Sequence, residues 1–296
     1  MKRTFIILLG CCLGLNSCYE LDLNPLSQAS SENWYSNETE IEMSIKDFYR
    51  DAFWPLDNED KTDNFIYRET PSEIIKGTFN GQSGDVTTLW ANQYKSIART
   101  NTILSNMDKA AEMGISEEKI KRYEAEALFQ RASCYARLVT YFGDVVYVTS
   151  VVDIEEAFTL GRTPKSEIVP KIYEDYDKAA EGLPEKYTGV SSLRATKGAA
   201  LALKARFALY MGDWEIAADA AKKCMDLGLY KLHADYAELF LTTTKNSEES
   251  IFLLPRSIEY KVTLGNWTVM NEVSRNPGGW GAFAPSWDLL AAYECI

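Results

Sequence analysis

The stretch Arg194–Gly228 constrains the fold more than any other part of this sequence, because it has the pattern of two helices joined at Gly212-Asp213. Thr196 can cap the first helix with its side-chain oxygen, and Gly212 can adopt the left-handed conformation that ends it. Apolar or small residues recur at steps of three and four: Leu201, Ala205, Ala208 and Leu209, then Trp214, Ala217, Ala221, Cys224 and Met225. The pattern therefore predicts an antiparallel helical hairpin.

Short side chains allow the two helices of such a hairpin to approach closely. The hairpin has the residue types that a tetratricopeptide repeat needs where its two helices meet. They are a small residue at Ala205, glycine at Gly212, an aromatic residue at Trp214, alanine at Ala217 and a small residue at Ala221. A repeat cannot bury its hydrophobic face alone and needs stacked neighbours. The alternative is an ordinary helical hairpin, which does not belong to a repeat.

Further helices are predicted on the N-terminal side of the hairpin. Four segments have apolar residues at helical spacing together with capping or terminating residues. They are Thr39–Phe53, a segment that is capped by Asp85 and broken by Gly114, Ser116–Phe142, and the segment from Pro164 to Glu181. Val145–Val151 is expected to cross between helices in extended form. The predicted fold class is all-α dominated: an α-solenoid of tetratricopeptide-like hairpins with long loops and a little extended structure.

The N-terminus has the features of an export signal. Lys2-Arg3 is followed by the apolar run Phe5–Leu15, which is too short to span a bilayer as a stable anchor. Leu15-Asn16-Ser17-Cys18 resembles the lipobox of bacterial lipoproteins, with Cys18 as the acylated first mature residue. Residues 1–17 are therefore predicted to be a lipoprotein signal peptide and 18–36 a tether, so that the lipid is the only membrane attachment. A plain secretory signal is the alternative.

Composition and motifs argue against several function classes. With 43 acidic and 31 basic residues the formal net charge is −12, which leaves no basic footprint for nucleic acid. The chain has no nucleophile-elbow or phosphate-loop motif. His233 is the only histidine, and no two of Cys134, Cys224 and Cys295 have metal-ligand spacing. We therefore expect no enzyme activity, no cofactor and no metal site, with Cys134 and Cys224 buried on their helices.

Two loops have the composition of a sugar-binding surface, which needs exposed aromatic rings flanked by polar and charged groups. We expect the segments 55–85 and 256–287 to face each other and form this surface. The candidate ligand-binding residues are Trp54, Asp63, Tyr67, Arg68, Phe79 and Asn80, together with Trp267 and Trp280. Trp90 and Trp214 are predicted to be core anchors instead. The alternative for 55–85 is a solvated linker with a few aromatic side chains pinned to the core.

Several motifs, in order along nearly the whole chain, resemble the SusD/RagB family of outer-membrane lipoproteins. Besides the Cys18 lipobox, they are Trp90-x3-Tyr94-x2-Ile97-x-Arg99-x-Asn101, Glu126-Ala127-x3-Arg131-Ala132-x2-Tyr135, Phe142-Gly143-Asp144-Val145, Arg162-Thr163-Pro164, Arg194-Ala195-Thr196-Lys197-Gly198, Gly212-Asp213-Trp214, Asn276-Pro277-Gly278-Gly279-Trp280-Gly281 and Leu289-x3-Tyr293-Glu294. Val146 departs from this pattern, because the family usually has proline there.

The resemblance implies a cell-surface outer-membrane protein that binds oligosaccharide, or in some members peptide, and delivers it to a TonB-dependent SusC-like transporter. The family is not enzymatic. Residues 37–229 would form its N-terminal tetratricopeptide domain and 230–296 the start of an incomplete C-terminal region, since family members continue beyond Tyr293-Glu294. Two other classes stay open: a generic lipid-anchored tetratricopeptide adaptor that binds a protein segment, and an unrecognised hydrolase.

Overall fold

The computed structural model describes residues 34–55, 61–68, 70–188, 194–244, 247–254, 256, 259 and 270–294. The predicted signal peptide, Cys18, most of the 18–36 tether and Trp267 lie outside the described residues. The chain divides into two compact units, Met1–Ser36 and Asn37–Ile296. Of the first unit only residues 34–36 are described, and they form bends. All features below belong to the second unit.

Helices dominate the described residues, which confirms the predicted fold class. The helices are α1 (Glu38–Lys46), α2 (Glu73–Lys76), α3 (Gly84–Leu104), α4 (Met107–Glu112), α5 (Glu117–Phe142), α6 (Ile154–Ala157), α7 (Lys165–Gly182), α8 (Lys197–Met211), α9 (Trp214–Asp226) and α10 (Trp287–Glu294). Short 3₁₀ turns occupy Asp47–Tyr49, Glu238–Phe240 and Thr242–Thr244. Two strands, β1 (Phe65–Tyr67) and β2 (Phe283–Pro285), pair in an antiparallel sheet.

The long helices stack in the manner of a solenoid. Helix α5 packs against α3 and α7, and α8 packs against α7 and α9. Local signals set several helix ends: Thr196 accepts a hydrogen bond from the backbone N–H of Ala199, and Gly212 ends α8 at a φ of 82°. Three predicted bounds were wrong. The helix that was expected to continue to Gly114 ends at Leu104, and the separate helix α4 follows it. Ser83, not Asp85, occupies the N-cap of α3, and the first helix stops at Lys46 instead of continuing to Phe53.

The hairpin α8–α9 forms as predicted, and Leu201, Ala208, Ala217 and Cys224 of the predicted faces are buried, but the buried arc of each helix is shifted. In α8 the buried positions include Lys204 and Phe207, while Leu209 is half exposed. The Lys204 ammonium group lies 2.6 Å from Oδ1 of Asp177 on α7, so α7 determines which side of α8 is covered. The prediction that Trp214 anchors the core was wrong: 66% of its surface is exposed, and Ala221 and Met225 of α9 are exposed as well.

Aromatic rings fill the centre of the fold. The Trp54 ring stacks on Phe129 with centroids 5.8 Å apart and contacts Phe252 at 4.9 Å. Cys134 and Cys224 are free thiols in buried positions, as predicted, and burial raises the pKa of Cys134 to about 11. These thiols are therefore protonated at neutral pH and pack as small apolar side chains.

The extended segment 145–151 is fixed by side chains from two helices. The Tyr94 hydroxyl donates to the Val146 carbonyl at 2.8 Å, and the Asn101 amide donates to the carbonyls of Val148 and Ser150 at 3.2 and 3.0 Å. The Tyr135 hydroxyl accepts from the Val148 N–H at 2.7 Å. Backbone groups of an irregular segment need such partners when they lie against a core. The motif residues of α3 and α5 therefore hold this crossing in place.

A buried ion pair joins α5 to α7. The Arg131 guanidinium donates from Nε to Oδ2 of Asp175 at 2.7 Å and from Nη2 to Oδ1 at 2.8 Å. Its Nη1 donates to Oδ1 of Asn101 at 3.4 Å, which adds α3 to the same network. Both ionic side chains are at most 10% exposed. This bidentate geometry compensates two charges that water no longer solvates.

Removing one partner of this pair should leave an uncompensated buried charge. We expect Asp175→Asn to lower the free energy of unfolding by about 3 to 5 kcal/mol in urea titrations. Lys222→Gln is the matched control, because Lys222 forms an exposed pair with Asp226 on α9 and such pairs contribute about 0 to 1 kcal/mol. Equal losses in the two variants would contradict the assigned role.

A second charged network joins α1, α5 and the start of α8. Arg194 donates from Nη1 to Oε2 of Glu42 at 2.9 Å and from Nε to Oε2 of Glu126 at 3.0 Å. The Tyr49 hydroxyl donates to the same Glu126 oxygen at 2.8 Å and accepts from the Ala195 N–H. Burial by itself would raise the pKa of Glu42, but the hydrogen bond from Arg122 and the charge of Arg194 outweigh it and lower the pKa to about 2.

Because of this network, the free energy of unfolding should decrease at acidic pH. A glutamate whose pKa is lowered on folding stabilises the fold fully above its unfolded pKa, near 4.5, and loses that contribution as the pH falls towards 2. We expect Glu42→Gln to be less stable than the parent by roughly 2 to 3 kcal/mol at neutral pH. The deficit should shrink between about pH 5 and pH 2 in urea unfolding curves.

Glu181→Gln, at an exposed position of α7, serves as the control and should follow the parent at each pH. A constant deficit for Glu42→Gln across this range would show that its carboxylate is not the titrating group.

Candidate functional site

The two loops that were expected to face each other are joined by β1 and β2. Phe65 pairs with Pro285, Ile66 with Ala284 and Tyr67 with Phe283. The ladder continues at both ends, where the Arg68 N–H donates to the Ala282 carbonyl at 2.7 Å and the Ser286 N–H donates to the Asn64 carbonyl at 2.8 Å. The sheet thus fixes the position of segment 61–68 against segment 282–286.

A glycine-rich turn leads into β2 and positions Trp280. The Trp280 N–H donates to the Met270 carbonyl at 2.6 Å, and the Ala282 N–H donates to the Asn271 carbonyl at 2.9 Å. At Gly279 a side chain cannot be accommodated, because an added Cβ would overlap the carbonyl group of Val273. Gly278 has a φ of 100°, a conformation that L side chains rarely adopt. The turn therefore requires both glycines.

Three of the predicted ligand-binding residues lie close together at this sheet. Nη2 of Arg68 donates to the Trp280 carbonyl at 3.4 Å. The Tyr67 ring lies 5.2 Å from the Phe283 ring at an interplanar angle of 49°. Trp280 is 46% exposed. We call this group of Tyr67, Arg68 and Trp280 the sheet-edge patch. It combines aromatic rings and a cation at the surface.

The structure places the other predicted ligand residues differently. Trp54 is buried, and its Nε1 donates to the Phe48 carbonyl at 3.0 Å, so its ring cannot serve as an exposed platform. The side chain of Asn80 accepts from the Gln82 N–H and donates to the Thr78 carbonyl, which are interactions of the turn before α3. Phe79 is partly exposed in that turn, and Asp63 is exposed ahead of β1.

Two further aromatic residues of this region were not among the sequence candidates. Phe283 contributes its ring to the sheet beside Tyr67. Trp287, the first residue of α10, is 82% exposed. The only sequence signal for Trp287 was its place at the end of an aromatic-rich segment, because no periodicity distinguishes an exposed tryptophan from a buried one there.

Within the part of the chain that the structure describes, none of the helices combines the length and the apolar composition that crossing a bilayer requires. In the same part of the chain no group of three or more His, Cys, Asp or Glu side chains is arranged to hold a metal ion.

The requirement for glycine at position 279 can be tested by substitution. In Gly279→Ala the new methyl group should displace Val273 or the turn itself and loosen the hydrogen bonds of Trp280 and Ala282. We expect faster amide hydrogen exchange for peptides that cover 280–286, measured by mass spectrometry. Gly81→Ala is the matched control, because a Cβ there meets nothing within 4 Å and the backbone φ is ordinary. Unchanged exchange in Gly279→Ala would contradict the assigned close contact.

Comparison with known proteins places the fold and the motifs in one family. Residues 24–209 match the SusD-like family model described as "Starch-binding associating with outer membrane". SusD-like protein P2 of Formosa agariphila is 28% identical over an alignment of 272 residues, and the alignment covers 86% of this chain and 52% of that protein.

Solved structures agree with this match. A SusD-like protein of Bacteroides fragilis superposes with a TM-score of 0.74 at 26% identity, over 89% of this chain and 54% of that chain. A SusD-like carbohydrate-binding protein of the same species gives a TM-score of 0.73 at 26% identity, over 86% and 53% of the two chains. The present chain spans about half the length of these relatives. Because the family model covers more than half of the chain, this protein belongs to the SusD-like family.

Proposed function

We propose that this protein is a lipid-anchored, cell-surface protein of the outer membrane that binds an oligosaccharide and delivers it to a TonB-dependent SusC-like transporter, without catalysis. The observation that carries the proposal is the sheet-edge patch, which presents Tyr67, Arg68 and Trp280 on a SusD-like helical scaffold. Cys18 is the proposed site of the lipid.

The chemistry of the patch suits a sugar. A pyranose ring has apolar C–H faces that stack on aromatic rings and hydroxyl groups that accept hydrogen bonds from a guanidinium. Trp280 supplies an exposed ring, and Arg68, whose guanidinium contacts the Trp280 carbonyl, supplies hydrogen-bond donors. Asp63, Trp267 and Phe79 remain proposed contributors from the same two loops, as does Trp287, while the buried Trp54 and the turn residue Asn80 support the scaffold.

Glycan binding can be tested by native gel electrophoresis of the full chain in gels that contain a soluble polysaccharide. Structures with the same fold include a laminarin-binding protein at 24% identity and a complex with a xylogluco-oligosaccharide at 18% identity. Those identities support the fold alone, so the panel should contain laminarin, xyloglucan, starch and pectin. Retardation by at least one polysaccharide is expected, and a peptide pool tests the other proposed ligand class.

Removing one aromatic ring of the patch should weaken the interaction with the retarding polysaccharide. We expect Trp280→Ala to bind about tenfold more weakly, as is common for a central aromatic residue of an interface, and Tyr67→Ala to show a loss in the same direction. Trp214→Ala is the matched control, since Trp214 is also an exposed tryptophan but lies on α9, away from the patch. Unchanged retardation of both patch variants would exclude this patch as the glycan site.

The transporter partner is tested separately, by capture of the native protein from detergent-solubilised membranes and mass spectrometry of the co-purifying chains. We expect a large TonB-dependent barrel in the eluate and, for Cys18→Ala, loss of the protein from the membrane fraction because one lipid provides the attachment. An eluate without a barrel protein would contradict the delivery role while leaving glycan binding intact.

A lipid-anchored tetratricopeptide adaptor is the second candidate. The observation in its favour is the exposed apolar surface of the hairpin α8–α9, formed by Leu209, Tyr210, Trp214 and Met225. An adaptor would bind a protein segment there and would show no glycan retardation. Capture of a soluble partner that is lost in Trp214→Ala, with no retardation by any polysaccharide, would favour this function.

A further inference from the structure

A small groove on the helical scaffold has a charge opposite to that of the whole chain. It opens between α5, α7 and α8, has a volume of about 120 Å³, and includes Trp54 in its wall. Its described lining residues contain two arginines, Arg137 of α5 and Arg206 of α8, and no acidic side chain. The chain as a whole carries a formal net charge of −12, so two cations in one groove without an acidic residue are unexpected.

Arg137 is held at the groove by interactions that leave part of its guanidinium available. Its Nη1 donates to the Phe53 carbonyl at 3.0 Å and to Oε1 of Gln93 at 3.4 Å. The guanidinium carbon lies 5.5 Å from the centre of the Trp54 ring. Both acceptors are neutral, so the positive charge of Arg137 is not compensated by them.

Arg206 faces the same space from the opposite helix. Within the described part of the chain, neither Arg206 nor Arg137 lies in an ion pair with a carboxylate. Both guanidinium groups act on one buried hydroxyl: burial raises the pKa of Tyr176 to about 12, and the two positive charges oppose that rise. Two like charges that line one groove repel each other, and an anion between them would offset that repulsion.

We propose that this groove binds one oxyanion, a carboxylate or sulfate group of a small molecule, between Arg137 and Arg206. A guanidinium presents paired N–H donors that match the oxygen spacing of these groups. The Tyr176 hydroxyl, which donates to Oγ of Ser133 at 3.1 Å, closes the inner end of the groove. A volume of about 120 Å³ is enough for a single oxyanion group between the two guanidinium groups.

The site is separate from the proposed glycan surface, because its lining includes none of the sheet-edge patch residues. A titration of the full chain with sodium sulfate and with sodium acetate, each compared with sodium chloride at equal ionic strength, tests it. The readouts are melting temperature and calorimetric heat. We expect saturable stabilisation by sulfate or acetate, and the stronger of the two identifies the preferred oxyanion.

Arg206→Gln is the decisive variant, because Arg206 is exposed and glutamine keeps most of the length of its side chain while removing the charge. We expect it to weaken oxyanion binding about tenfold or more, the loss typical of a charge-assisted hydrogen bond. Lys222→Gln combined with Lys223→Gln is the control, since it removes two positive charges from the surface of α9 and should bind as the parent does.

Two results would overturn the proposal: no saturable difference between chloride and either oxyanion, or parental affinity in Arg206→Gln. Polysaccharide retardation of Arg206→Gln should equal that of the parent. The failure of this site and the failure of the glycan proposal are thus distinguishable.

Discussion

The buried pair of Arg131 and Asp175 is the interaction on which the arrangement of the helices depends. A charge that is removed from water is tolerated only when its partner lies at the correct position, so this pair fixes where α5 meets α7. Asn101 adds α3 to the same network and also holds the crossing segment by two carbonyls. The motif residues Asn101 and Arg131 therefore have a structural role in this chain.

The proposed binding surface depends on that scaffold. Two strands of three residues each are too short to be stable alone in water. Their pairing needs the glycine turn at Gly278-Gly279, whose hydrogen bonds set the start of β2. Function that resides in loops on a rigid framework is common, and it allows the ligand to change between relatives while the helices stay the same.

Local sequence signals predicted the helices, because capping residues such as Thr196 and terminating glycines such as Gly212 act within one turn. They could not predict which arc of α8 and α9 is buried, since Asp177 of another helix decides that for Lys204. The predictions for two tryptophans were wrong in opposite directions, because tertiary packing decides their burial. Trp54 was expected at the ligand surface and is buried, whereas Trp214 was expected in the core and is exposed. Arg68 and Trp280 are in contact although 212 residues separate them in the sequence. Only the aromatic and polar composition of their two loops indicated that the loops meet.

A crystal structure of the full chain with an oligosaccharide from the polysaccharide that retards it most tests the central claim directly. The account predicts a sugar ring stacked on Trp280, with hydroxyl groups near Arg68 and Tyr67, and a groove between Arg137 and Arg206 that holds no sugar. An oligosaccharide bound on the helical surface of α8–α9, or anywhere away from β1 and β2, would contradict it.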